Sequence, residues 1–377
     1  MYMADRIHTE EKEFNGRAAV AVSNDTVRVT VLRGGGHIAE ISLFSNGVNP
    51  LWVPQWKSIE PDEYRPDIHD KTYGGSAEGR LLASIMGHSV CLDFFGDPSE
   101  EEQGKGLTVH GEAPVQNWDI STSGTALVCS ADLPVSNLGY TREIRLDPGS
   151  AVVRISEKVY NRNDAVHEFG WCQHITLGKP FLKKGKTLFN MPAVWGKTYS
   201  DDFGSFLRME PGRDFIWPTA PGKDGKNINL QIAPDEDISG DFSAQLTDDS
   251  NEQAYFTAFT QEYGTLFGYV WKREDYPWIG NWEENYSRSS PPWRGNEYCR
   301  GMEFSTSPFP EGRKNAVERG MMHGTPTYKS IGPGETASVE YAAFISDGFA
   351  DFSGTHLLEY NGETVTIRNG KEQYTIE

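Results

Sequence analysis

Residues 142–160, REIRLDPGSAVVRISEKVY, decide the fold. Arg142-Glu143-Ile144-Arg145-Leu146 and Val153-Arg154-Ile155 alternate apolar and polar side chains, the period of a half-buried strand. Asp147-Pro148-Gly149 between them is turn chemistry. Strands joined this tightly run antiparallel. Working outward, Ala126–Leu133 precedes the pair and Phe169–Leu177 follows it across a polar turn at Asn161–Asp164. Together they predict a meander with one face inward and one outward.

The same grammar holds towards both ends. Ala19–Ser23, Val27–Leu32 and Ile38–Phe44 are short and rich in β-branched residues, separated by Asn24-Asp25 and Gly34-Gly35-Gly36. Ala254–Thr260, Leu266–Lys272 and Ser338–Ile345 read as strands. The tail brackets Asn369-Gly370 with Glu363–Arg368 and Glu372–Ile376, a strong hairpin signal. Leu51 to Asp70 is an aromatic, proline-marked excursion carrying Trp52, Trp56 and Tyr64. Pro98 to Lys105 reads as an acidic surface loop, and Pro211 to Asp237 as loop with short strand pieces. Ala77–Ile85 is the one short helix suggested. No window sustains a 3.6-residue period, and no linker or repeat interrupts the chain. The expectation is an all-β fold, one large antiparallel sandwich over residues 1–377 with few short helices.

Charge and motif absences narrow the function. Lys+Arg 35 against Asp+Glu 54 leaves a net charge of −19. Such a surface repels phosphate backbones and anionic lipid, so neither nucleic acid nor membrane is an expected partner. A neutral small molecule is not repelled. The start, MYMADRIHTEEKEF, has no apolar signal core, and Cys91, Cys129, Cys172 and Cys299 are widely spaced. A cytoplasmic protein with reduced thiols is expected. The glycine run at 34–36 is not followed by Gly-Lys-Ser/Thr, and nucleophile-elbow and dinucleotide fingerprints are absent. His69-Asp70, His88 and Asp93 have no metal-ligand spacing. No cofactor and no metal are expected.

Asp275 to Phe304 is the densest chemistry: Trp278, Trp282 and Trp293 stand among Asp275, Glu283, Glu284, Glu303 and Arg288. A sugar ring needs this mixture, since its C–H face packs on an aromatic and its hydroxyls pair with polar groups. The ordinary alternative is a wet aromatic loop pair closing over a core. Elsewhere, His110 precedes Gly111, which frees the backbone there. His174 shares one strand face with Cys172 and Thr176. Glu303 faces away from Met302 and Phe304. Arg80 follows Gly79. Singly, each also reads as an unremarkable loop, core or surface residue.

In order along the chain these pieces resemble the aldose 1-epimerase (galactose mutarotase) family. Gly34-Gly35-Gly36-His37 is similar to its early glycine turn, and His110-Gly111 to its first site histidine. Cys172-Gln173-His174 is similar to the second, Gly301-Met302-Glu303 to the glutamate strand, and Gly332-Pro333-Gly334-Glu335 to the closing turn. Val109-His110-Gly111 stands where the family has a fuller Asn-His-x-His-Gly-Gly, and Gln173 where it has asparagine, so the resemblance is to a divergent member. It implies a galactose mutarotase-like supersandwich that interconverts α and β anomers of a sugar without a cofactor. By that resemblance Glu303 is the base at the anomeric hydroxyl and His174 the acid at the ring oxygen. His110 bonds the ring oxygen or a neighbouring hydroxyl, and Arg80 stands at the family's Gly-Arg. Trp278, Trp282, Asp275 and Glu283 form a sugar-choosing wall that matches no family motif. A carbohydrate-binding protein on the same fold stays open. So does a saccharide lyase or hydrolase pairing Glu303 with Asp275, Glu283 or Glu284. A monomer or homodimer is expected.

Overall fold

In a computed structural model, residues 7–200, 204, 206–350 and 352–377 are described. Met1–Arg6, the start of the segment read as lacking a signal core, lie outside the described residues. Two large antiparallel sheets face each other across one apolar core. The first is 11-stranded, running from His8–Phe14 at one edge to Asp214–Phe215 at the other. The second is 8-stranded and holds three strands of the predicted meander, Ala126–Leu133, Leu138–Leu146 and Val152–Asn161, side by side, whereas the fourth, Phe169–Leu177, is split and its main part, Cys172–Gly178, crosses to the first sheet. The register pairs Leu146 with Val153 and Ile144 with Ile155, as the Asp-Pro-Gly turn demands.

Arg142 departs from the alternation that predicted this hairpin. It lies on the inward face with Ile144 and Leu146 and pairs with buried Glu157 at 2.7 Å. Burying both charges is offset by further hydrogen bonds, including one from Arg142 Nη1 to the Gly36 carbonyl at 2.9 Å, although Nη2 finds no acceptor among the described residues. Tyr341 and Gln173 both donate to Glu157, at 2.7 Å and 2.5 Å. Gln173 therefore keys its strand, Cys172–Gly178, to the core, while the next residue, His174, points to the opposite face of the sheet.

Several expectations shift. His88–Cys91 is a strand not foreseen. The acidic loop contains a helix, Glu100–Gly104, closed by a Ser99/Glu102 capping box. Pro66–Tyr73 and Gly312–Arg319 are further helices not foreseen. The Asp275–Phe304 region is not a loop pair. It is two paired strands, Trp278–Asn285 and Tyr298–Ser305, buried along their whole length. With Ser239–Thr247, Cys172–Gly178 and His88–Cys91 they form the middle of the 11-stranded sheet. That middle is covered on both faces, one by the sandwich core and the other by loops. All four cysteines are free and buried. Among the described residues no helix is long and apolar enough to cross a membrane.

Candidate functional site

The loop-covered face of that sheet carries a cavity of about 360 Å³. Its floor is strand. Glu303 projects from Tyr298–Ser305 and is 1% exposed. Two glycines make room for it. A Cβ at Gly280 would lie 2.9 Å from Glu303 Oε2, and one at Gly301 would collide with Oε1. Side chains at those positions would evict the carboxyl, which explains glycine in strand interiors where it otherwise weakens the sheet. From the neighbouring strand, His174 Nε2 lies 3.1 Å from Glu303 Oε1. The contact has the distance of a hydrogen bond but not its angles, and neither Glu303 oxygen completes a hydrogen bond among the described residues. His174 Nδ1 meets Thr176 Oγ1 at 3.2 Å.

Burial sets the charge state of both groups. It pushes the Glu303 carboxyl well above its ordinary range and the His174 imidazole down to about 4, because a low-dielectric site disfavours the charged form of each. Both shifts favour the uncharged forms, a carboxylic acid beside a neutral imidazole.

His110 overhangs this floor. Its ring centroid is 4.9 Å from that of His174, and it stacks on Phe95 at 5.5 Å. Its backbone is left-handed, at φ 69°, and the chain continues through Gly111 at φ 84°, where a side chain would run into the Leu92 carbonyl. The Gly96 N–H donates to His110 Nδ1 at 3.2 Å. In the neutral ring the proton therefore sits on Nε2. Burial, with His174 and Arg288 nearby, holds the ring neutral, well below its usual pKa.

The walls come from loops together with Trp282 on its strand. Trp52 and Trp293 stack in parallel at 5.8 Å, and Trp282 meets Trp293 edge-on at 5.9 Å. The Trp282 indole N–H is buried without an acceptor among the described residues. Arg288 lies over both Trp282 and Trp293, at 5.5 and 4.9 Å, and within 3.9 Å of Glu78 and 3.6 Å of Glu284. Asp97 and Glu78 add carboxyls at the more exposed rim. The arrangement is one apolar, aromatic pocket with a few convergent polar groups, two of them unsatisfied.

No protein-family model matches the sequence, and no curated protein matches it. Solved structures do. A candidate aldose 1-epimerase from Klebsiella pneumoniae aligns with a TM-score of 0.62 at 14% identity, covering 90% of this chain and 83% of its own. A galactose mutarotase-like protein from Clostridium acetobutylicum gives 0.60 at 14% identity, covering 91% and 99%. A galactose mutarotase related enzyme from Lactobacillus acidophilus gives 0.56 at 12% identity, covering 88% and 98%. The fold is galactose mutarotase-like.

On that galactose mutarotase-like sandwich, four of the residues singled out in sequence meet in the cavity: Glu303, His174, His110 and Trp282. Four others do not. Arg80 turns away, donating to the Pro61 and Val115 carbonyls at 3.0 Å each, while its neighbours Leu81 and Leu82 line the cavity. Trp278 donates to the Pro326 carbonyl at 2.9 Å. Asp275 pairs with Lys329 at 3.6 Å. Glu283 points through the sheet's other face to Arg208 and Arg300. Glu284 accepts from Ser287 and is also off the cavity. Sequence reasoning passed over Phe95, Phe242, Tyr199, Glu78 and Asp97, which also line the cavity. Trp52, in the aromatic excursion, and Arg288 and Trp293, in the Asp275–Phe304 region, were visible as composition but had no partner assigned. Among the described residues no group of His, Cys, Asp and Glu is placed to hold a metal ion.

Proposed function

We propose that this protein interconverts the α and β anomers of a sugar by acid–base ring opening. One observation carries the reading: the buried Glu303 carboxyl, without a hydrogen-bond partner among the described residues, lies beside His174 in an aromatic cavity. A buried polar group left unsatisfied in a pocket is made for a ligand's polar atom. The anomeric carbon carries the ring oxygen and the anomeric hydroxyl as near neighbours, so two groups side by side address both.

The reaction needs one donor and one acceptor. One member of the Glu303–His174 pair takes the proton of the anomeric hydroxyl while the other protonates the ring oxygen, breaking the bond from anomeric carbon to ring oxygen. Rotation about C1 and reclosure on the other face return both protons. A pair holding one proton supplies an acid and a base in either arrangement, and ends as it began. The Nε2–H of His110 is free of the Gly96 bond and orients a sugar oxygen. The Trp282 face takes the C–H side of the ring, and its indole N–H reaches a hydroxyl.

Polarimetry on fresh α-glucose, α-galactose and other aldoses tests this. Glu303→Gln and His174→Asn should each slow mutarotation by roughly 10²–10⁴-fold. Full activity in both variants refutes the assignment. Tight binding without faster mutarotation makes the protein a carbohydrate-binding module, and new reducing ends make it a hydrolase.

A further inference from the structure

We propose that Glu297 is a positioning residue: acting through Trp52, it sets the aromatic wall of the cavity. The proposal rests on the ring-opening reading. Glu297 does not itself line the cavity. It is 2% exposed and ends the connection of residues 286–297 between the strands Trp278–Asn285 and Tyr298–Ser305. That connection is closed at its base, where the Tyr286 N–H donates to the Glu297 carbonyl at 2.8 Å.

The Glu297 side chain reaches to a distant part of the chain. The Trp52 indole N–H donates to one carboxylate oxygen and the Gln55 backbone N–H to the other, each at 2.8 Å. One donor on each oxygen requires a group that accepts at both ends. A carboxylate does so, whereas an amide would turn its own N–H groups towards one of the two donors.

Trp52 carries the effect into the cavity. Its backbone is already tied to the middle of the 11-stranded sheet. The Trp52 N–H donates to the Thr176 carbonyl, and its carbonyl accepts from the Gly87 N–H, each at 2.8 Å. What the backbone leaves open is the orientation of the indole ring, and the bond to Glu297 fixes it. Trp293 stacks on that ring, 5° from parallel at 5.8 Å, and Trp56 meets both rings edge-on. Trp293 in turn meets Trp282 edge-on. Trp52, Trp293 and Trp282 all line the cavity. A relay of rings thus runs from a buried carboxylate to the face on which a sugar ring would lie. Glu303 and His174 are held by their own strands and stand outside it.

Steady-state mutarotation kinetics test this on the aldose that the wild type accelerates most, with Glu297→Gln, Trp52→Phe and the double variant. Glu297→Gln should raise KM about tenfold, the scale of one hydrogen bond to a charged group. Its kcat should stay within about threefold, the pattern of lost binding and not of lost chemistry. Trp52→Phe removes the same bond from its other end and should raise KM likewise. Adding Glu297→Gln to Trp52→Phe should then change KM by less than about twofold. A carboxylate that merely held two loops together would lower the urea midpoint and leave the KM of the folded protein unchanged. An unchanged KM in Glu297→Gln overturns the proposal and leaves the ring-opening reading standing. So does a tenfold effect of Glu297→Gln that persists in the Trp52→Phe background. If Glu297→Gln does not fold, an unchanged KM in Trp52→Phe overturns the proposal in its place. Acceleration of no aldose by the wild type overturns the ring-opening reading and this proposal with it.

Discussion

Glu283 and Glu303 stand on adjacent antiparallel strands, 2% and 1% exposed, and face opposite sides of the sheet. On the reverse face Glu283 meets Arg208 and Arg300, with Asp241 accepting from Arg208 at 2.7 Å. On the cavity face Glu303 has a neutral histidine beside it and, among the described residues, no cation paired with it. Burial raises the pKa of both carboxyls, but on the reverse face two guanidiniums pull back against it and on the cavity face nothing does. Two acids of the same type and depth thus differ in what their neighbours leave undone. Charge satisfied within the protein holds strands together, whereas a carboxyl left unsatisfied is available to a substrate.

Glu283→Gln should separate the two faces most sharply. It leaves buried Arg300 without its carboxylate and should lower stability to urea by about 3–5 kcal/mol, with mutarotation by the folded fraction within about twofold of wild type. Glu303→Gln breaks no ion pair with a charged partner and should leave the urea midpoint nearly unchanged. The reverse result in either variant would erase the contrast. A second measurement uses acid. His174 is held at about 4 against an unfolded value near ~6.5. The unfolded chain therefore binds more protons in that window, and stability falls as pH drops from about 6.5 to about 4. The loss from this one residue is roughly 3 kcal/mol. His174→Asn should flatten that part of the pH–stability curve, and an unchanged slope would place the acid sensitivity elsewhere, His37 being held at about 4 as well. The smallest test is steric. Gly301→Ala should displace the Glu303 carboxyl and cost about 10²-fold in rate, while a crystal structure of the variant checks that the sheet is intact. Wild-type activity in that variant would mean that the carboxyl's position is immaterial.

The fold was legible wherever strands are half-buried. Arg142–Tyr160 and the tail hairpin alternate because one of their faces meets water. Ser239–Thr247 and Trp278–Asn285 are buried on both faces, so alternation was missing and neither was read as a strand. The helix Gly312–Arg319 buries only Gly312 and Ala316, too little to leave a periodic stripe. Within the site, Glu303, His174 and His110 were recognisable because each sits in a short motif in a characteristic order. Alternation could also have separated Glu283 from Trp282, since successive residues of one strand face opposite ways. Trp278 shares a face with Trp282 but is roofed by the turn containing Pro326, a contact no local pattern encodes. Trp52, Glu78, Asp97 and Arg288 come from segments far apart in sequence, and only the fold brings them together.

The division between a strand floor and loop walls has a consequence for how such a protein can be changed. Glu303 and His174 are fixed by a sheet pinned on both faces, where alteration is costly, while many groups around them hang on connecting segments that tolerate replacement. On the proposed reading, exchanging the segments around Trp52, Glu78 and Trp293 should redirect the protein to a different sugar without redesigning its chemistry. The molecule is in that sense a socket with interchangeable fittings.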